Sequence, residues 1–219
     1  YENIAVLIPA YKPDRRLNQL VDDLLNAGFN NLVVVDDGGQ EPFREIFNDL
    51  EGKATVLVHE VNRGKGAALK TGLAHIMKTP GISVVTADAD GQHRPDDIAR
   101  VAEEAVKHPQ ALTLGVRAFT GKVPFRSRFG NWWTRVFFFL STGLWIRDTQ
   151  TGLRGFAREL LPVMIAVKGD RYEYEINMLL TAVRSGMEIY EEWIETVYLN
   201  DNESSHFNPF QRAVRHGFR

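Results

Sequence analysis

The chain reads as an α/β protein with a mostly parallel central sheet flanked by helices. Two habits of the sequence predict this. Short β-rich apolar runs alternate with amphipathic stretches through the first half. The acidic loops at Asp36-Asp37 and at Asp88 and Asp90 begin where two such runs end, at the strand edge where open α/β sheets usually hold ligands. A length of 219 residues with 44% apolar content suits one domain with a real core.

The elements follow in order. Ile4 to Ile8 is the first strand; Leu17, Leu20, Val21, Leu24 and Leu25 then recur at helical spacing, and Gly28 closes that helix. Leu32 to Val35 is a second strand, Thr55 to His59 a third, Ala67 to Met77 a helix, and Ile82 to Thr86 a fourth strand. Pro95-Asp96-Asp97 opens a helix with proline and acids in its first turn. Ile98, Val101, Ala102, Ala105 and Val106 form its buried stripe, and His108-Pro109 stops it. Ala111 to Val116 is another strand. After Arg117 the texture changes: aromatics crowd Phe125 to Trp145 among Arg126, Arg128, Arg135 and Arg147. An amphipathic helix around Tyr174 to Ser185, a strand near Glu191 to Tyr198 and a polar tail complete the chain. No repeat or linker divides it, so residues 1–219 are expected to form one domain.

The totals exclude several classes. A formal charge of −2 gives no global field to recruit nucleic acid or membranes, so any attraction must come from local patches. The absence of cysteine excludes disulfides, thiolate metal sites and a cysteine nucleophile. Tyr1 leads at once into the first strand, so no secretory signal is expected. The longest apolar run is broken by Ser141-Thr142-Gly143 and falls short of the roughly 20 residues of a spanning helix.

Three motifs carry the candidate chemistry. In Val84 to His93, Asp88 and Asp90 stand one residue apart just past a strand, a spacing that puts both carboxylates on one side. Together they either grip a divalent cation through oxygen or serve an ordinary Asp-Gly turn. Asp36-Asp37-Gly38-Gly39 offers carboxylates to a ribose or base, or a turn. Asn62-Arg63-Gly64-Lys65-Gly66 opens a helix with glycines and cations, which suits an anion or a tight strand-to-helix turn. It matches neither a Walker loop nor a dinucleotide fingerprint.

The order of these pieces is the specific signal. Ile8-Pro9-Ala10-Tyr11, Val35-Asp36-Asp37-Gly38, Asn62-Arg63-Gly64-Lys65-Gly66 and Asp88-Ala89-Asp90-Gly91-Gln92 together resemble family 2 glycosyltransferases of the GT-A fold. Arg117, Ser127-Arg128-Phe129-Gly130-Asn131 and Asp148-Thr149-Gln150-Thr151-Gly152-Leu153-Arg154 resemble the polyprenyl-phosphate branch, typified by dolichol-phosphate mannose synthase. The likeness runs from Ile4 to about Phe210.

The resemblance implies a nucleotide-sugar-binding half at 1–117 and an acceptor-side half at 118–219. Pro9, Tyr11 and Asp37 would line the base and ribose site, with Asp36 beside them and Lys65, Asp88, Ala89 and Asp90 completing the donor site. Asp88, Asp90 and Gln92 would hold Mg²⁺ or Mn²⁺. Arg117, Arg126, Ser127, Arg128 and Arg154 would meet the acceptor phosphate, and the catalytic weight would fall on Asp90, Arg117 and Arg128. Lys12-Pro13-Asp14 departs from the family's usual Asn-Glu, leaving Asp14 as the stand-in for a base-contacting acid; Glu175 is the match for a helix-borne glutamate on the acceptor side.

The implied reaction is inverting, metal-dependent transfer of a hexose to a polyprenyl phosphate at the cytoplasmic membrane face. UDP-glucose is the first preference among donors, with UDP-N-acetylglucosamine and GDP-mannose open, as is the oligomeric state. A saccharide hydroxyl acceptor, a haloacid-dehalogenase-type phosphohydrolase and a non-catalytic nucleotide-sugar-binding module are the alternatives. Phe125 to Trp145 reads either as a helix at the membrane surface or as a buried aromatic helix. The tail at Ser204 to Phe210 resembles one that precedes a membrane anchor in bacterial relatives. His206 is a candidate for the diphosphate or metal, weighed like His59, His75 and His93 against ordinary packing.

Overall fold

The computed structural model describes residues 1–39, 41–117, 134–136 and 138–195. The first half runs β1 (Ile4–Ala10), α1 (Arg16–Asn26), β2 (Asn31–Asp36), α2 (Arg44–Asn48), β3 (Thr55–Val58), α3 (Lys65–Ile76), β4 (Ser83–Thr86), α4 (Pro95–Lys107) and β5 (Ala111–Arg117). The second half contributes α5, described at residues 134–136 and 138–142. It continues with β6 (Arg154–Phe156), a 3₁₀ turn (Arg158–Leu160), α6 (Leu161–Ala166), α7 (Glu173–Arg184) and β7 (Glu188–Ile194).

The seven strands of the described residues form one sheet in the order β3-β2-β1-β4-β6-β5-β7. Only β6 runs against its neighbours, between β4 and β5. The chain leaves β1 toward β2 and β3, then returns to place β4 on the other side of β1. That reversal opens a crevice at the carboxyl ends of β1 and β4. The register Ala10↔Asp36 and Leu7↔Thr86 delivers both acidic loops to this edge.

Alternation along each strand divides the core into two layers. Ala5 and Leu7 of β1 face one cluster with Leu69, Leu73, Met164, Tyr174 and Met178 of α3, α6 and α7. Ile4, Val6 and Ile8 face the other, with Leu17, Leu24, Ile98 and Val101 of α1 and α4. A sheet buried on both faces explains the near-continuous apolar runs of β1 and β2.

Four elements escape the sequence reading: α2, β6, the 3₁₀ turn and α6. The last strand begins at Glu188, three residues earlier than expected; β7 is an edge strand whose Glu191 and Glu192 are partly covered by ion pairs with Arg147 and Arg100.

Candidate active site

A cleft of about 480 Å³ lies along the carboxyl edge of the sheet. Its floor is Pro9 and Ala10 of β1, Asp37 after β2, Asp88, Ala89, Asp90 and Gln92 after β4, and Arg117 ending β5. Tyr11, Asp14 and Arg16 form one wall. The loop before α3 and the pair Arg171 and Tyr172 before α7 form the other. Asp14 is turned to its own helix: its carboxylate accepts from Arg16 Nε at 2.9 Å, and this bond holds it below the usual carboxylate range.

At the centre Lys65 Nζ stands 2.6 Å from Asp88 Oδ1 and 2.9 Å from Glu175 Oε1. Burial alone would raise the Asp88 carboxyl, but Lys65 first, with His93, outweighs it and holds the group far below the usual range. Asp90 moves the other way: burial, then the Asp88 charge, push its carboxyl up. Its Oδ1 accepts the Gln92 backbone N–H at 3.0 Å. His93 is buried, with Nε2 3.7 Å from Asp88 Oδ2 and no hydrogen-bond partner on Nδ1.

This donor set fits a hard divalent cation. Two carboxylates that raise each other's cost of ionisation are relieved by positive charge between them. Among the described residues no three histidines or acids gather around one point. The protein would supply Asp88, Asp90 and the Gln92 amide oxygen, leaving the remaining positions to phosphate oxygens and water, the usual habit of Mg²⁺.

The second acidic loop works differently from the expectation. Asp37 is buried and its carboxylate accepts the backbone N–H groups of Arg63 (2.9 Å) and Gly64 (2.8 Å). His59 Nδ1 lies 2.7 Å from the same group, and its Nε2 lies 2.9 Å from Thr71 Oγ1. Asp37 thus shapes the cleft by locking the Arg63-Gly64 turn. Asp36, expected beside Pro9, Tyr11 and Asp37 in the donor site, is a correction: it is not among the residues that line the cleft, and its Oδ1 accepts the Gly39 N–H at 2.7 Å. Burial first pushes its carboxyl up.

The stretch from Asp148 to Arg154 is a brace beneath the site. Asp148, with no exposure, accepts Arg117 Nε at 2.5 Å and Nη2 at 3.0 Å. The Gly152 carbonyl accepts the Thr86 hydroxyl at 2.8 Å. A Cβ on Gly152 would meet the Asp88 carboxylate, so any side chain there would have to displace it. Arg154 is also corrected. It is 1% exposed, with its guanidinium on the carbonyls of Thr151, Glu175 and Thr149, and so presents no face to an acceptor phosphate. Glu175, the other expected acceptor-side group, holds Lys65.

Arg171 and Tyr172 were not foreseen. Their segment docks on the loop before α3: a Cβ on Gly64 would fall 2.7 Å from Arg171 Cγ, and one on Gly66 2.5 Å from Tyr174 Cβ. The Asp170 carbonyl accepts the Ala67 N–H at 2.9 Å. The glycines of Arg63-Gly64-Lys65-Gly66 therefore admit a neighbouring segment, and that pair was the available signal. Arg126, Ser127, Arg128 and His206 lie outside the described residues.

The Glycosyl transferase family 2 model matches residues 5–161. The chain belongs to that family. It is 31% identical to the UDP-N-acetylglucosamine–dolichyl-phosphate N-acetylglucosaminyltransferase of Methanococcus voltae, covering 89% of this chain and 86% of that one. It is 30% identical to a dolichyl-phosphate beta-glucosyltransferase of Trichomonas vaginalis, over 88% of this chain and 66% of that one. Glucosyl-3-phosphoglycerate synthase from Mycobacterium tuberculosis, solved with Mn²⁺ and UDP-glucose, superposes with a TM-score of 0.71 at 19% identity, covering 91% of this chain and 72% of that one. That likeness speaks for the GT-A fold alone. This family 2 enzyme thus carries its acidic pair at the crevice of a GT-A sheet, which sets aside the phosphohydrolase alternative.

Proposed function

We propose that this family 2 glycosyltransferase moves a hexose from a nucleotide-diphosphate sugar to a polyprenyl phosphate, with inversion and with Mg²⁺ or Mn²⁺. The observation that carries the acceptor class is the state of the cleft carboxylates. Asp14 is held by Arg16, Asp37 by two backbone N–H groups, and Glu175 and Asp88 by Lys65. Asp90 accepts the Gln92 backbone N–H and belongs to the metal pair. A hydroxyl acceptor requires a general base; a lipid phosphate is already ionised and requires none.

A cation held by Asp88, Asp90 and Gln92 would act as Lewis acid on the departing diphosphate. Pro9 and Tyr11 line the end of the cleft suited to the base and ribose. Lys65 supplies positive charge beside the acidic pair, where the diphosphate would lie. Arg117, fixed by Asp148, offers a guanidinium to the acceptor phosphate from the opposite end; Arg126, Ser127 and Arg128 are assigned to the same anion. UDP-glucose is the preferred donor, before UDP-N-acetylglucosamine and GDP-mannose.

The reading includes action at the cytoplasmic membrane face. No helix of the described residues is long and apolar enough to cross a membrane. Around α5, Phe138 is 1% exposed whereas Leu140 is 77% exposed, so the helix has a core side and an apolar outer side. Phe139, Leu144 and Trp145 share that exposure, with the Arg135 guanidinium 4.7 Å from the Trp145 ring. Exposed rings and aliphatics beside arginines suit a surface of anionic lipid.

The test is release of UDP from UDP-glucose with Mn²⁺, with and without undecaprenyl or dolichyl phosphate. Lipid-phosphate-dependent release is expected. Release driven equally by a simple sugar would overturn the acceptor assignment.

A further inference from the structure

Residues 170–172 reach the cleft from the second half of the chain and are anchored on both sides. Asp170 joins α3 through its carbonyl on the Ala67 N–H (2.9 Å) and its carboxylate on Lys70 Nζ (2.9 Å). Glu173 Oε1 accepts the N–H groups of Asp170 and Arg171, both at 3.3 Å. Tyr174, buried directly behind, donates its hydroxyl to the Met164 carbonyl at 2.7 Å. Between these anchors Tyr172 lines the cleft with 48% of its surface exposed.

An aromatic ring held by its backbone in a polar cleft is a preorganised surface. Its place along the cleft follows from its neighbours. Tyr172 stands three residues before Glu175, whose carboxylate meets Lys65 Nζ at 2.9 Å; Lys65 meets Asp88 at 2.6 Å and, like Tyr172 and Asp88, lines the cleft. It therefore stands at the acidic-pair end, whereas Tyr11, with Lys12 Nζ 5.2 Å from its ring, stands beyond β1. A hexose is amphipathic: its C–H face is apolar and its rim is hydroxyl. A flat ring with an ammonium and a carboxylate close by matches both parts.

The geometry points to Tyr172 as the platform on which the donor's hexose lies. This rests on the reading of the cleft as a nucleotide-sugar site. The Arg63-Gly64-Lys65-Gly66 loop then has a second task, since its small residues let the segment that bears the platform dock.

The experiment is calorimetric titration of the whole chain with UDP and with UDP-glucose, both with Mn²⁺. Tyr172→Ala is expected to weaken UDP-glucose about tenfold while leaving UDP within about twofold, and Tyr172→Phe to restore most of the loss. Tyr172→Leu, which keeps bulk without a ring, should behave like Tyr172→Ala and covers misfolding of that variant. Equal weakening of UDP and UDP-glucose would place the ring under the nucleotide and overturn the proposal; so would unchanged affinity for both. Failure of the unaltered chain to bind UDP or UDP-glucose would instead remove the nucleotide-sugar reading, and the platform with it.

Discussion

Asp148 holds Arg117 by two nitrogens, at 2.5 and 3.0 Å, from a position with no solvent exposure. A guanidinium so fixed has its direction set before any ligand arrives, and direction is what lysine cannot reproduce. Arg117→Lys is expected to keep donor affinity within about twofold and to lose about 100-fold in turnover. Equal loss of donor affinity in a binding titration would remove Arg117 from the acceptor side. Asp148→Ala removes the buried carboxylate that holds the mostly buried Arg117 guanidinium and is expected to cost about 3 kcal/mol in urea unfolding.

Gly152 touches the Asp88 carboxylate with no room for a side chain. Gly152→Ala should therefore displace the carboxylate and lower Mn²⁺-dependent donor affinity by more than about tenfold. The Thr86–Gly152 hydrogen bond uses backbone on the Gly152 side and survives a small shift. A variant that folds, binds Mn²⁺ normally and turns over normally would show that Asp88 is free to move.

The two acids of one motif should have opposite effects on the metal-free protein. Asp88 titrates below its unfolded value, so it contributes stability above that value and loses it as pH falls through the folded one. Asp90 titrates above its unfolded value, so its charge costs stability once pH exceeds the folded one. With EDTA at neutral pH, Asp90→Asn is expected to raise the melting temperature by a few degrees and Asp88→Asn to lower it. Both should lose the stabilisation that Mn²⁺ gives. A lower melting temperature for Asp90→Asn would contradict the burial and repulsion described at that site.

How far the sequence could be read depended on where partners lie along the chain. Strands β1, β2, β4 and β5 announce themselves as apolar runs buried on both faces, and helices α1 and α4 by the stripe each buries. The three-residue β6 is silent: it begins with an arginine, and only its place between β4 and β5 makes it a strand. The same holds in the site. Asp88 and Asp90 are legible as a pair on one segment. The partnerships of Lys65 with Glu175 and Arg117 with Asp148 join residues 110 and 31 positions apart and leave no local pattern. The resemblance assigned Arg154 to the acceptor side, whereas the backbone carbonyls of three residues hold its guanidinium.

That reassignment of Arg154 has its own test. A buried guanidinium that satisfies three carbonyls is structural, and Arg154→Lys is expected to cost about 2–4 kcal/mol in urea unfolding. The KM for polyprenyl phosphate, measured on the folded fraction, should not change. A variant of normal stability with a raised acceptor KM would return Arg154 to the acceptor site.

Neighbouring residues of α5 separate membrane contact from core packing. Phe138 is in the cluster with Leu114 and Phe156, and Phe138→Ala is expected to cost about 3–5 kcal/mol. Leu140 and Trp145 face outward, and Leu140→Ser with Trp145→Ser should leave the melting temperature within a degree or two, since exposed substitutions change stability little. The double variant is expected to lose binding in flotation with vesicles containing anionic lipid, because it removes apolar area that would enter the interface while keeping Arg135 and Arg147. Flotation unchanged in this variant would mean that the outer side of α5 does not meet the bilayer, since the arginines alone would then carry all the attraction.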